Sequence, residues 1–143
     1  MLKEAMQELD EELEYITHEY IGERIIIRVR SKRKEVICPY CGEKTNKVYS
    51  KYSRRFQDLP IQGKNVIVLI ESRKLICENS VCEKKTFVER FGCISQRGRV
   101  TKRLEEKIMQ VAKHTSSITT SGILSEMGIK IGKSSICRWF KKK

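Results

Sequence analysis

Two pairs of cysteines constrain this chain more than anything else in it: Cys38-Pro39-Tyr40-Cys41-Gly42 and Cys77-Glu78-Asn79-Ser80-Val81-Cys82, with thirty-five residues between Cys41 and Cys77. A C-x2-C or C-x4-C turn brings two thiolates to one side of a metal, and two such turns complete a tetrahedron of soft ligands. Pro39 and Gly42 suit the first turn. The intervening stretch is long enough for two strands and a connection that place the second knuckle beside the first, as in a zinc ribbon. The spacing therefore nominates Cys38, Cys41, Cys77 and Cys82 as ligands of one Zn2+ and predicts a metal-stapled binding module.

Two other uses of the cysteines compete. A redox CxxC usually opens a helix beside a βαβ pattern, and the stretch from Tyr40 to Tyr49 has neither feature. Disulfides need an oxidising compartment; the amino terminus runs into an acidic helical pattern with no apolar signal-peptide core, and a reducing cytosol favours zinc. Lys44, Lys84 and Lys85 are close enough in sequence to offset the negative charge of four thiolates around a dication, and each is equally readable as plain surface charge. Cys137 falls in an apolar helical stretch and reads as a small buried side chain. Cys93 has no partner at knuckle spacing, so it is at most an alternate ligand. His18 and His114 are remote from both clusters and read as surface or helix-end residues.

A chain of 143 residues holds one ordinary domain or two small ones, and small domains bury too little apolar surface to be stable without help, which a zinc staple supplies. Charge is unevenly spread. Residues 1–20 carry one Lys against seven Asp and Glu, whereas residues 21–143 carry 29 basic and 11 acidic groups. So basic a body concentrates polyanions around it. Double-stranded DNA is favoured over a membrane: no apolar run approaches the roughly 20 residues of a spanning helix, and the cations are scattered instead of forming one amphipathic face. The expected location is cytoplasmic.

Along the chain, Leu2, Met6, Leu9, Leu13 and Ile16 recur at helical steps and predict an amphipathic helix over residues 2–18 with an acidic outer face. Its simplest role is packing on its own domain or on a second copy. Arg24 to Arg30 alternates as a strand after a break at Gly22. Lys47–Phe56 and Asn65–Ile76 read as an antiparallel pair joined through a turn spanning Asp58 to Gly63, with Asp58 as a local acceptor for backbone amides. Thr86–Phe91 reads as a short returning strand, and Gln96–Arg99 as a linker.

The remaining residues change to a helical pattern. Leu104, Ile108, Val111 and Ala112 stripe a helix over about Thr101–His114. A second is capped by Ser117, buries Ile123, Leu124 and Met127, and stops at Gly128. A third, capped by Ser134, turns Ile136, Trp139 and Phe140 inward and leaves Ser135, Arg138, Lys141 and Lys142 outside. Two helices joined by a Gly-containing turn, the second short and basic, describe a helix-turn-helix, whose last helix enters the major groove. There Arg138 can reach guanine and Ser135 a base edge or phosphate. Lys133 joins this face, and Arg97, Arg99, Lys102 and Arg103 are expected to grip phosphates. A merely solvated three-helix bundle is the alternative. The expected class is α+β: an N-terminal helix (1–20), a small antiparallel β zinc ribbon (21–95) and a three-helix DNA-binding bundle (96–143).

The order of these motifs resembles the amino-terminal region of ISL-type insertion-sequence transposases, a zinc ribbon followed by a helix-turn-helix. The resemblance rests on Cys38-Pro39-Tyr40-Cys41-Gly42, on Asp58-Leu59-Pro60 with Gly63, on the strand through Arg73 into Cys77-x4-Cys82, on Thr86-Phe87, and on Arg99, Thr101 and the pattern up to Arg138. It implies binding to the terminal inverted repeats of a mobile element. A homodimer or a separate catalytic subunit is a further expected partner. In full-length members it also implies a ribonuclease-H-like domain with acidic metal ligands. This sequence stops at Lys141-Lys142-Lys143, so the expectation is a truncated DNA-binding module that is not itself an enzyme. The other class of reading is a stand-alone regulator or protein-interaction module built from the same two folds, with the acidic amino-terminal segment as its dimer or partner surface.

Overall fold

The computed structural model describes residues 2–141. It is a mixed α and β structure whose element order is α1 (Leu2–Leu9), β1 (Leu13–Ile21), β2 (Arg24–Ser31), β3 (Val36–Ile37), β4 (Lys44–Thr45), β5 (Val48–Ile61), β6 (Lys64–Ile76), β7 (Thr86–Val88), α2 (Lys102–Ala112), α3 (Ser117–Glu126) and α4 (Lys133–Lys141). One sheet has the order β1-β2-β6-β5 with β7 also on β6, and β3 pairs β4 in a separate two-stranded sheet.

The helix expected over residues 2–18 ends at Leu9. Leu2 and Met6 are buried, but Asp10 turns the chain: its carboxylate accepts from the amide of Glu12 at 2.9 Å, and its carbonyl accepts from Leu13. Beyond it the run Tyr15-Ile16-Thr17, with Tyr20 and Ile21, is aromatic and β-branched, a composition that fits a pleated surface better than a helix. These residues form β1. Its Glu14 meets Arg30 of β2 at 2.9 Å, so cross-strand pairing overrides the apparent helical spacing.

β2 follows its alternation as read, with Ile25, Ile27 and Val29 buried and Arg24, Arg28 and Arg30 outside. The long hairpin departs from expectation. β5 continues through Asp58, Leu59 and Pro60 to Ile61, and the chain reverses only at Gln62 and Gly63, whose φ angles are 52° and 75°. Two consecutive left-handed residues make the two-residue turn that matches strand twist. Asp58 is therefore a strand residue, fully buried, and it accepts from the hydroxyl of Thr101 at 2.7 Å and the Nε of Arg103 at 2.8 Å.

By packing the chain divides into two compact units, each drawn from separated stretches: residues 1–17, 28–54 and 69–92 in one, and 18–27, 55–68 and 93–143 in the other. The division expected from sequence ran in consecutive blocks; the long strands β1, β2, β5 and β6 instead each contribute to both units. In the first, Val36, Cys38, Leu75 and Phe87 form a small core. In the second, Val100, Leu104, Ile108, Ala112, Leu124, Ile129, Ile136 and Trp139 form a core with Leu59 and Ile131 against it.

The helical part largely follows its periodicity, with shifted caps. Thr101 caps α2 and Ser116, not Ser117, caps α3 by accepting from Thr119 N. Lys133 already lies in α4, so Ser134 is inside that helix. Ile123 and Met127 are exposed, and Thr120 is buried beside Leu124 in their place. Cys137 is exposed, not buried. Gln96–Arg99 is no free linker: Ile94 bridges Thr101, Ser95 N donates to Val100 O, and a Cβ on Gly98 would stand 3.0 Å from the Trp139 ring. The inward placement expected for Phe140 lies outside the described side chains.

Candidate metal centre and nucleic-acid interface

The first knuckle is a short hairpin, with Val36 opposite Thr45 and Ile37 opposite Lys44. It is closed by Cys38 N donating to Glu43 O at 2.8 Å and Gly42 N to Cys38 O at 2.9 Å. The second is delivered by β6, which pairs with β7 through Leu75 and Phe87, and it is held by Cys77 N to Lys85 O at 2.9 Å and Cys82 N to Asn79 O at 3.1 Å. Thr45 ties the two together: its hydroxyl donates to Ile76 O at 2.9 Å.

These turns bring all four predicted ligands to one point. Cys38 Sγ stands 3.9 Å from Cys82 Sγ, Cys41 Sγ stands 3.5 Å from Cys77 Sγ, and the four sulfurs lie within 4.8 Å of one another. Sulfurs about 2.3 Å from a tetrahedral Zn2+ are about 3.8 Å apart, whereas a disulfide needs about 2.05 Å. The donor set fits zinc, and Cys93, which is buried, is not part of it.

The electrostatics favour the same conclusion. The amides of Glu43, Asn79 and Lys84, each two residues past a cysteine, stabilise the thiolates of Cys41, Cys77 and Cys82. The Glu43 amide, aided by the Asn79 side chain and the Cys77 and Cys38 thiols, brings Cys41 down to about 7. At Cys77 the Asn79 amide also favours the thiolate, but burial and the sulfurs of Cys41, Cys38 and Cys82 outweigh it and push the group up to about 12. Crowding likewise raises Cys82, and a bound dication would reverse both shifts, since a coordinating thiol is deprotonated outright. Of the lysines expected to soften the charge, Lys84 places its Nζ 5.8 Å from the Tyr40 ring centre.

Of the residues expected to meet DNA, those that the structure describes are in the second unit. On α4, Lys133 and Arg138 are exposed, and Arg138 donates to Ser135 Oγ at 3.4 Å. With Ser116, Ser117, Ile118 and Cys137 they line a surface hollow at the start of α3 and α4. Arg99 and Lys102 are exposed. Arg97 instead meets Glu105 at 3.2 Å, and Arg103 is engaged by Asp58. The side chain of Lys141 and the whole of Lys142 lie outside what is described.

Sequence reasoning passed over two residues that fix this face. Gln57 and Asn65, both buried, form a polar clamp on the turn between α3 and α4: Asn65 Nδ2 donates to Gln57 Oε1 at 2.7 Å and to Gly128 O at 2.9 Å, Gln57 Nε2 donates to Lys130 O at 2.9 Å, and Lys130 N donates back to Gln57 Oε1 at 2.6 Å. Three backbone groups of the turn, Gly128 O, Lys130 O and Lys130 N, are thereby bonded to side chains on β5 and β6, which anchors the segment that leads into α4. The sequence signal was slight: two amides at strand positions where apolar residues were equally admissible.

Residues 34–82 match the family described as the zinc-finger of transposase IS204/IS1001/IS1096/IS1165. The chain is also 27% identical over 107 residues to the transposase for insertion sequence element IS1001 of Bordetella parapertussis, an alignment that covers 75% of this chain and 25% of that protein. The chain thus spans about a quarter of the length of the curated relative it matches. No solved structure matches it. No helix among the described residues is long and apolar enough to cross a membrane. The four-cysteine centre thus lies within the segment that matches this transposase zinc-finger family, and the similarity to the IS1001 transposase extends over three quarters of the chain.

Proposed function

We propose that this chain is a zinc-supported DNA-binding module that recognises the terminal inverted repeats of an insertion element, with α3 and α4 acting as a helix-turn-helix. The observation that carries the reading is the clamped turn. A recognition helix must be presented at a fixed angle to enter the major groove, and Gln57 and Asn65 hold residues 128–130 while α4 keeps Lys133 and Arg138 exposed. The transposase zinc ribbon in the same chain supports DNA as the partner. In this division of labour zinc rigidifies the β module, Arg138 and Ser135 meet base edges, and Lys133, Arg99 and Lys102 meet phosphates.

Strand cleavage is not assigned to these residues. Two-metal phosphoryl transfer needs carboxylates converging on a rigid scaffold, and the one group of three or more metal-ligating side chains brought together among the described residues is the four cysteines. A stand-alone interaction module is the second reading, favoured by the exposed apolar side chains of Ile118 and Ile123 on α3 and of Met127 just beyond it.

Fluorescence anisotropy of the zinc-loaded protein on the end sequence of an insertion element and on a scrambled duplex, at physiological salt and with or without chelator, separates them. Tighter binding to the element end, weakened by chelation, supports end recognition. Equal, steeply salt-dependent binding to both duplexes moves the interaction reading ahead.

A further inference from the structure

The zinc-bearing unit carries a cationic surface that the helix-turn-helix reading does not use. From Lys44 to Arg54 the chain has four cations and no carboxylate. Most of this stretch is the first half of β5, an end strand of the sheet. Val48 to Ser53 are exposed on both faces of the strand, an unusual state for a strand that carries two tyrosines. Tyr49 is 64% exposed and Tyr52 41%. Lys74 of β6 brings a further cation to within 5.6 Å of the Tyr49 ring centre. Glu71 stands 3.9 Å from Lys51 across an exposed contact. Further along, the free side of β5 is covered, because Gln57 exchanges backbone hydrogen bonds with Arg99 and Thr101; from Val48 to Arg54 no strand lies on that side among the described residues.

We infer that this open half of β5 is a second nucleic-acid contact, in which Lys47 and Lys51 grip duplex phosphates and the Tyr49 and Tyr52 hydroxyls donate to the same backbone. The inference rests on the DNA-binding reading above and extends it to the zinc unit. The chemistry is that of sequence-independent contacts: point charges and hydroxyl donors along an extended strand match a repeating phosphate track and carry no base information. Lysines on an edge strand have another use, which is to keep the edge from pairing with a second copy. That use explains the cations but not two exposed tyrosines among them, since exposed aromatic residues on an open edge invite the pairing that the lysines would prevent.

The test is the salt dependence of binding of the full zinc-loaded chain to a scrambled and to a preferred duplex, for the native protein, K47Q/K51Q and R138A. Each phosphate contact contributes about 0.9 to the slope of log affinity against log salt. K47Q/K51Q is expected to lower that slope by about 1.8, equivalent to about a twelvefold change in relative affinity between 50 and 200 mM salt, with the preference between the two duplexes unchanged. Lysine acetylation of the native protein, in which duplex should protect Lys47 and Lys51, reads the same contact without a variant. An unchanged slope with unprotected lysines overturns the inference and leaves the helix-turn-helix reading standing. The same result with self-association of K47Q/K51Q assigns the lysines to edge protection. A native protein that binds neither duplex overturns both.

Discussion

Arg73 grips Glu89 with two parallel hydrogen bonds, Nε to Oε1 at 2.8 Å and Nη2 to Oε2 at 2.9 Å, around a carboxylate that solvent does not reach. Ser31 Oγ adds a bond at 2.7 Å, Arg33 stands 3.4 Å from the same carboxylate, and Arg73 Nη2 also donates to Arg33 O at 3.1 Å. The network joins β2, β6 and the end of β7 within the unit that carries the cysteines.

Burial alone would raise the Glu89 carboxyl, but the bonds from Arg73 and Ser31 and the charges of Arg73 and Arg33 outweigh it and hold it below the ordinary 4.5. A depressed carboxyl contributes stability that is complete above its unfolded pKa and is lost as pH falls through the folded one. The stability advantage of the native protein over Glu89→Gln, measured by urea unfolding, is therefore expected to be largest near neutral pH and to shrink below about pH 4.5. Glu89→Ala, which strands a part-buried guanidinium, is expected to cost about 3 to 5 kcal/mol. A difference between native and Glu89→Gln that stays constant with pH would remove the carboxylate from the ledger of acid stability.

Replacing Cys77 with Ser takes one sulfur from the centre and is expected to abolish stoichiometric zinc and unfold the ribbon, because structural zinc contributes folding free energy directly. Cys137→Ser, at an exposed position outside the cluster, is expected to retain one zinc per chain and the native melting curve. Metal release by a thiol reagent and thermal melting read both. Full zinc retention by the Cys77 variant would overturn the ligand assignment.

The metal centre was legible because its code is local: two cysteines on a tight turn must point the same way, so spacing alone predicts geometry. The β2 alternation and the apolar steps of α2 were legible for the same reason. What failed was non-local. Leu13 and Ile16 obey helical spacing, yet the Asp10 turn and pairing with β2 made them strand residues. Asp58-Leu59-Pro60 looks like a turn when read alone, but Thr101 and Arg103, more than forty residues away, supply the partners that keep Asp58 in a buried strand. Gln57 and Asn65 carried no mark of a clamp, since their partners are backbone atoms of a turn whose position no local pattern gives.

Gly128 tests that clamp. Its φ is 95°, and a Cβ there would stand 2.6 Å from the carbonyl oxygen of Gly63. A left-handed backbone costs an L side chain about 1 to 2 kcal/mol, and here the obstacle is backbone, which has little freedom to yield. Gly128→Ala is expected to destabilise by about 2 kcal/mol or more and to weaken DNA binding while leaving zinc content unchanged. Asn65→Ala, which frees Gly128 O and removes the donor to Gln57, is expected to act in the same direction. Native affinity in either folded variant would show that the direction of α4 does not depend on the clamp.

Arg138 separates recognition from mere attraction. Its guanidinium is exposed on α4 with only a 3.4 Å bond to Ser135 Oγ among its described contacts, so little is lost in turning it to a base. A bidentate contact to guanine carries about 1 to 3 kcal/mol of discrimination, and Arg138→Ala should therefore weaken binding to a preferred site by that amount while changing a scrambled duplex much less. Lys133→Ala, removing a point charge, should weaken both duplexes equally and flatten the salt dependence by about one contact. If Arg138→Ala instead behaves as Lys133→Ala is expected to, Arg138 holds phosphate and the bases are read elsewhere on the α3–α4 face.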